Sequence, residues 1–538
     1  MSDSYSVLRT PFTSMSFTPD VPSNALGPLE YNSGRNVEAD VRGIKKISGE
    51  EEILSAVPYY PIFMDGGFRS ESQWVYIVCT INGSQGYWYM VTSSGISNIT
   101  PGVGANPNAY LSGYSEATNI TTSWVGNVFF INDGLRNPMQ FLPTNTEITI
   151  TSNASWNYTP GVNATRAAFV RNYCSPNVGN ILIAGNLSED LASGTTVELP
   201  TTVRWSQAFA NTGVPGTWEP NLTNVANEKE VPVRGPLIDG FFLGANFYVC
   251  SYWDTVVFSP IAYQNTTTPI FGTRLFNQGR GLINNNCWTN TDSSVYGVDS
   301  RDIWVFDGSD FSPLGNQKVR DYFFRNLNQT YSDRIFVVNN TQKNQVEIYY
   351  PNLTSTGWCN EMLSWRYDLN IWNAPKDIAN ACNACEGPVF TGGAFKYASR
   401  TVTYAQGGGT NKKLVQTGRG NSFINSAPIP CLFERTNLSL QTAEGPVPFS
   451  SKVYTHRILP EIAGTGTINI TVGGANSTAQ TPTYGEKQVV SIVTDNPWVP
   501  TQQNSVRTVS VKVESNDATN AWNLTALNWQ TTITEDAF

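Results

Sequence analysis

Residues 74–90 open with Trp74-Val75-Tyr76-Ile77-Val78, turn at Asn82-Gly83, and return through Tyr87-Trp88-Tyr89-Met90. Side chains alternate across the run with period two, and Asn-Gly is a strong signal for a two-residue hairpin turn. The same grammar recurs along the chain, in Val128-Phe129-Phe130-Ile131, Ile181-Leu182-Ile183-Ala184 and Val346-Glu347-Ile348-Tyr349-Tyr350. Asp65-Gly66-Gly67, Asn132-Asp133-Gly134, Asp239-Gly240 and Asp307-Gly308 read as further turns. Helical spacing is scarce: Val319-Arg320-Asp321-Tyr322-Phe323-Phe324-Arg325-Asn326-Leu327 predicts one short helix, and residues 375–381 a weaker one.

Aromatic-rich hairpins recur near residues 74–90, 124–132, 181–184, 247–258, 303–306 and 346–350. They predict the blades of one divergent β-propeller whose number of blades stays open. The expected fold class is therefore all-β, in three parts. Residues 1–50 carry Pro11, Pro19, Pro22 and Pro28 without a convincing apolar face, and read as an extended N-terminal arm that lies on something else. Residues 51–431 form the propeller with inserted loops, Gly407–Lys413 being a loop tip. Residues 432–538, with the alternating runs 467–472 and 506–513, form a C-terminal β domain.

The 538 residues are 40% hydrophobic but only 14% charged, against about 25% in ordinary domains. Asn, Thr, Ser and Gly must cover the surface, and these residues favour turns and strand faces. A net charge of −9 opposes attraction to nucleic acid phosphates. Lys45-Lys46 is answered at once by Glu50-Glu51-Glu52, which reads as a solvated face. The first twenty residues hold no secretory signal and no run is long and apolar enough for a membrane span, so the expected starting point is a cytoplasm. For the same reason the sequons at Asn98, Asn119, Asn163, Asn221, Asn352, Asn469 and Asn523 are expected to stay unmodified.

A single histidine, His456, removes most triads and histidine metal sites. Paired carboxylates could hydrolyse glycosides, which makes Asp133, Asp239, Asp254, Asp302 and Asp307 the acidic positions to weigh. Three of them precede Gly and read as turn residues. Cys382-Asn383-Ala384-Cys385 could join Cys359 and Cys431 in a thiolate site for zinc, but free buried thiols fit the loose spacing better. Phosphate-binding loops are absent. No catalytic, cofactor-binding or metal-binding residue is assigned, no cofactor is expected, and the reading is of a structural protein, not an enzyme.

Several stretches in order resemble the tail nozzle, or tail tubular, proteins of short-tailed bacteriophages. They are Gly34-Arg35-Asn36-Val37 leading to Gly43-Ile44-Lys45-Lys46; Trp124 to Gly134 with Asn137-Pro138; Val203-Arg204-Trp205-Ser206 with Pro215-Gly216-Thr217-Trp218; Gly235-Pro236-Leu237-Ile238-Asp239-Gly240; and Trp522-Asn523-Leu524. The run Val298-Asp299-Ser300-Arg301-Asp302-Ile303-Trp304-Val305-Phe306-Asp307-Gly308 followed by Val319-Arg320 carries most of the likeness. The resemblance implies a virion tail protein, assembled in the host cytoplasm as a homo-oligomeric, typically hexameric, ring below the tail adaptor. Fibre or spike proteins would attach to it, and genome DNA would pass through as cargo without sequence-specific binding. Two alternatives remain: a phage receptor-binding or fibre protein, and a secreted glycan-binding or glycan-cleaving propeller.

Overall fold

The computed structural model describes residues 5–150, 155–175, 179–261, 270–315, 318–408, 412–442, 445–492, 497–501 and 505–535. The protein is all-β, a divergent propeller joined to a C-terminal β domain. Among the described residues the only α-helix is Arg320–Asn326, where the 319–327 spacing predicts it, followed by the 3-10 segment Gln329–Arg334. Residues 375–381, expected as a second short helix, instead open the strand Lys376–Thr391.

Seven blades follow one another around an axis: the first has five strands, the next four have four each, and the last two share one eight-stranded sheet in which Cys359–Arg366 pairs with Lys376–Thr391. Their innermost strands are Tyr60–Ser70, Thr121–Val125, Val162–Ser175, Leu237–Leu243, Trp288–Asn290, Phe336–Asn340 and Lys376–Thr391. Hydrogen bonds between neighbouring blades run the whole way round. Thr122 Oγ1 donates to Asp65 (2.7 Å), Arg171 Nη1 to the Thr122 carbonyl (2.9 Å), and Arg171 Nη2 to Asp239 (2.6 Å). Trp288 Nε1 donates to Asp239 (2.8 Å), Asn339 Nδ2 to the Asn290 carbonyl (3.1 Å), and the Thr341 amide to Glu386. Tyr76 and Thr403 close the circle from blade 1 to blade 7 at 3.0 Å.

The last blade is completed from the far end of the chain. Its strands Lys376–Thr391, Ala394–Gln406 and Leu414–Thr417 are followed at the outer edge by Glu50–Ile53, which pairs antiparallel from Leu414↔Ile53 to Thr417↔Glu50. The loop tip expected at Gly407–Lys413 falls between two of these strands, with Gly409, Thr410 and Asn411 outside the described residues. The six aromatic hairpins of the sequence mark blades 1 to 6. The seventh is missed although its hairpin carries Phe390 and Phe395 on either side of Gly392-Gly393, and its outer strand, Glu50–Ile53, comes from ahead of blade 1.

That run is a solvated face only in part, since Glu51 and Glu52 are exposed but the residues around them are not. Glu50 and Ile53 are buried, and Lys46 sits with its ammonium on Asp517 Oδ1 (3.0 Å) and on the carbonyls of Asp517 and Asn520. Two of the expected turns also lie elsewhere: Asp65-Gly66-Gly67 and Asp239-Gly240 are inside the innermost strands of blades 1 and 4. Glycine is required there by close approach. A Cβ on Gly67 would meet the Trp124 ring at 2.4 Å, and one on Gly240 the Phe247 ring at 2.7 Å.

The N-terminal arm is extended, and it lies on the chain's own C-terminal domain. Ser6–Pro11 pairs with Trp522–Glu535, Ser33–Arg35 with Ile429–Leu438, and the hairpin Val37–Asp40/Gly43–Lys46 joins residues 523–524. Two sheets result, one carrying Ser451–Gly464 and Trp522–Glu535, the other Ile429–Leu438, Thr467–Ala475 and Thr508–Asp517. Between them Val453, Ile458, Ile470, Val511, Val513, Leu524 and Trp529 are buried together with Phe12 and Tyr31 of the arm. Phe12 and Tyr31 meet Phe433 edge-on at 5.3 and 5.2 Å between ring centroids. A buried ion cluster ties this unit to the propeller: Glu38 of the arm accepts from Lys343 of blade 6 (2.8 Å) and from Lys376, where blade 7 begins.

Candidate functional site

The propeller axis is where polar side chains from most blades converge. Blade 3 supplies Arg171, the one charged residue at the end of Ala167-Ala168-Phe169-Val170, and blade 4 supplies Asp239, which is fully buried. Arg171 grips both Asp239 oxygens, Nε to Oδ1 at 2.8 Å and Nη2 to Oδ2 at 2.6 Å, a bidentate pair. The Gly240 amide (2.8 Å), the Asn286 amide (3.2 Å) and Trp288 Nε1 (2.8 Å) complete five donors on one carboxylate. The guanidinium also donates to the Thr122 carbonyl and Asn286 Oδ1 (2.8 Å), and it lies 5.3 Å from the Trp288 ring centroid.

Three consecutive asparagines cap one mouth of the axis. Asn284 Nδ2 donates to the Ser332 and Ile335 carbonyls, Asn285 Nδ2 to the Ala168 carbonyl (2.9 Å), and Asn286 Nδ2 to the Ile120 carbonyl (2.8 Å). Asn286 holds the left-handed backbone conformation (φ 64°), which asparagine tolerates better than most residues. The triplet thus stitches the segment entering blade 5 to blades 2, 3 and 6.

On the other side of Arg171 a cavity of about 210 Å3 remains, lined by Asp65, Thr122, Arg171, Trp288, Asn290 and Asn383 among others. A further space of about 70 Å3 lies at the asparagine mouth. Asp65 faces the larger cavity with Oδ1 on the Gly66 amide (2.7 Å) and Oδ2 on Thr122. Burial pushes its carboxyl above the ordinary value, against the opposing pull of these hydrogen bonds and of Arg171. The arrangement can hold several waters or one small polyol, but a DNA duplex, whose major groove alone is about 12 Å wide, cannot pass it.

The five acidic positions weighed from the sequence are not gathered into one cleft. Asp239 is the axial carboxylate just described, and its role is in a strand rather than a turn. Asp133, in blade 2, takes Tyr114 Oη (2.7 Å), Arg136 Nε (2.8 Å) and the Leu135 amide. Asp254 is clasped by Arg234 at a hairpin of blade 4. In blade 5, Asp302 caps the Ile303 amide, and Asp307 sits in an exposed turn on Ser309 and Asp310. Asp65, Arg171, Asn286 and Trp288 were not singled out. The signal was present for one of them: a lone arginine closing an apolar strand run must have a buried partner.

His456 lies on the C-terminal domain, Nε2 2.8 Å from Thr532 Oγ1. Cys431 lies in the C-terminal domain, bonded to the Asn36 carbonyl, away from the propeller cysteines. Burial pushes the thiols of Cys359, Cys382 and Cys385 up. No group of three or more His, Cys, Asp or Glu side chains suited to a metal ion occurs among the described residues. No helix among them is long and apolar enough to cross a membrane.

No protein-family model matches the chain, and no curated protein matches it. Among solved structures it is similar to an exo-β-1,3-galactanase from Phanerochaete chrysosporium with β-1,3-galactotriose bound, at 8% identity over 90% of this chain and 100% of that one, with a TM-score of 0.23. The expectation that the chain is not an enzyme is corrected on this finding, since the similar structure is that of a glycan-cleaving protein. At that identity and TM-score the likeness assigns no activity to this chain.

Proposed function

We propose that the chain is the tail nozzle subunit of a short-tailed bacteriophage. Copies form a ring, six in number, on the virion tail beneath the adaptor, and the genome passes through the ring on ejection. The carrying observation is the ordered run from Val298 to Gly308 with Val319-Arg320 after it, whose residues occupy a strand (Ile303–Phe306), a turn and then a helix (Arg320–Asn326). Because the propeller axis is filled by Arg171, Asp239, Trp288 and the asparagine triplet, the conduit in this reading lies between subunits, not through one. A chain charge of −9 suits a wall that must not retain the phosphate backbone. Negative-stain microscopy of the purified protein and of particles tests this. Rings, and the protein at the distal tail, are expected; a strictly monomeric protein missing from particles would sink the proposal.

A second reading, a glycan-binding or glycan-cleaving propeller, is favoured by one observation: the axial cavity has room for a single sugar unit and presents an indole edge and a carboxyl, Trp288 and Asp65. It predicts glycan-array binding or reducing-sugar release that Asp65→Asn abolishes. An array without hits and no sugar release would dispose of it.

A further inference from the structure

Beside blades 4 and 5 three segments meet: the end of Phe271–Gln278 with Gly279 and Arg280 after it, the turn Asp299–Asp302, and the first residue of the helix Arg320–Asn326. They line a depression of about 370 Å3. Among the described residues that line it, Arg280, Arg301 and Arg320 stand against one carboxylate, Asp302. Asp299 fixes the turn: its Oδ1 accepts from the amides of Arg301 (2.7 Å) and Asp302 (2.8 Å), and its Oδ2 from Arg280 Nη1 (3.0 Å). Arg320 Nε donates to the Arg301 carbonyl at 2.6 Å, so helix and turn hold each other.

The three guanidiniums are not equally engaged. Arg280 is committed to Asp299, with Asp302 Oδ2 a further 3.8 Å from its Nη2. Arg320 pairs its Nη1 only with Asp321, which is 4.0 Å away and 74% exposed, a contact worth little. Arg301 is exposed, and its guanidinium has no hydrogen bond or ion pair among the described residues. It lies against Gly279, where Nη2 is 2.8 Å from the place a Cβ would take, so that any other residue there would push it aside. Asn277 and Gln278 add side-chain amides to the lining, and these too have no partner among the described residues.

Charged donors that lack acceptors call for an oxyanion. One guanidinium fork takes two oxygens, so a carboxylate would be used up by Arg301 alone, whereas the three terminal oxygens of a phosphate monoester can serve Arg301 and Arg320 together. The volume lies within the ~300–1,000 Å3 of small-molecule sites and leaves room for the body of a ligand beside its phosphate. A nucleic acid is disfavoured, because three arginines at one spot meet few phosphates while a chain of charge −9 repels the rest. We infer that this depression binds a small phosphorylated molecule through its phosphate group, gripped by Arg301 and Arg320, with Arg280 as a fixed positive charge beside them. The inference does not rest on the ring reading.

The test uses the full-length protein in phosphate-free buffer at low salt. Calorimetric titration with glucose 6-phosphate should show one site per chain with a Kd on the order of 1 mM or tighter, and glucose should show none. Arg301→Ala, which strands no acceptor, and Arg320→Ala should each weaken binding about tenfold or more, while Arg400→Ala on blade 7 binds as wild type does. Phenylglyoxal labelling of Arg301 in the wild-type protein, read by peptide mass spectrometry, needs no variant to fold. It should slow about sixfold at five times the Kd, the factor 1 + [ligand]/Kd. Inorganic phosphate binding equally well would support the site and make free phosphate its source; a preference of about tenfold for the sugar phosphate would support it and make the phosphorylated sugar the source. A DNA duplex that displaces glucose 6-phosphate and depends on the same two arginines would reassign them to nucleic acid and overturn the inference. No heat and no protection at ~10 mM ligand, or binding indifferent to both variants, would also overturn it, and neither result bears on ring assembly.

Discussion

Glu50→Gln should stabilise the closure of the propeller at neutral and alkaline pH and leave it unchanged in acid. Glu50 lies in the strand that completes blade 7, and burial pushes its carboxyl up to about 7 from an ordinary 4.5. The Tyr404 hydroxyl and Lys376 pull the other way without compensating, and Asp377 adds to the rise. The folded state therefore holds this proton more tightly than the unfolded chain does. Its contribution is fully present below pH 4.5 and is lost as the pH rises through about 7. At ~1.4 kcal/mol per pH unit, the loss amounts to about 3 kcal/mol by pH 8. Gln mimics the neutral carboxyl and titrates nowhere. Amide exchange in Glu50–Ile53 and Leu414–Thr417 reports the opening of this strand pair, and the wild-type to variant ratio at one pH cancels the intrinsic pH dependence of exchange. Wild type should exchange about 100-fold faster than the variant at pH 8 and nearly equally at pH 4.5. Equal rates at both pH values would show that the carboxyl is solvated, and the reasoning would fail.

Three other outcomes follow from the same kind of accounting. Arg171→Leu strands the buried Asp239 carboxylate and should cost about 3–5 kcal/mol in thermal or denaturant melts, whereas the double change Arg171→Leu/Asp239→Leu should recover most of the loss; equal damage in both would show that the ion pair is not the issue. Gly67→Ala places a methyl group 2.4 Å from Trp124 and should destabilise by about 1–3 kcal/mol, a neutral effect refuting the close approach. For Glu38, burial works to raise the carboxyl, but Lys343 and Lys376 outweigh it and hold it well below the ordinary range. Its contribution is therefore present above about pH 4.5 and lost only as the pH falls through the depressed value. Wild type should keep residues 6–46 protected from pepsin at pH 4, and Glu38→Gln, with two lysines left facing a neutral amide, should not; protection of both would show that the arm is held by other contacts.

What could be read from the sequence was whatever is local. Alternation and Asn-Gly at 74–90 give a hairpin without help from the rest of the chain, and six such hairpins give six blades. The seventh depends on Glu50–Ile53 meeting Leu414–Thr417, a pairing that no local pattern encodes. Asp-Gly at 65 and 239 misleads for a related reason: a turn and a strand crossed by a neighbouring ring both demand glycine, and only the position of Trp124 or Phe247 distinguishes them. The axial network combines both difficulties. Arg171 announces a buried partner, but Asp239, Asn286 and Trp288 are brought to it by the curvature of the propeller, and an Asn-Asn-Asn run looks like any other turn in an asparagine-rich chain.

The closing strand has a consequence for how the protein is made. Glu50–Ile53 leaves the ribosome before any blade, yet its partner at Leu414–Thr417 is roughly 360 residues downstream. At about 5–20 residues per second, the early strand waits for tens of seconds while six blades form beside it. The arm strand Ser6–Pro11 waits longer still, for Trp522–Glu535. Synthesis that stops early therefore leaves an open ring with bare strand edges, which is sticky and exposed to proteases. Only a chain translated through Trp522–Glu535 can fasten both the closing blade and the arm, so folding of these early strands is tied to synthesis of the late ones.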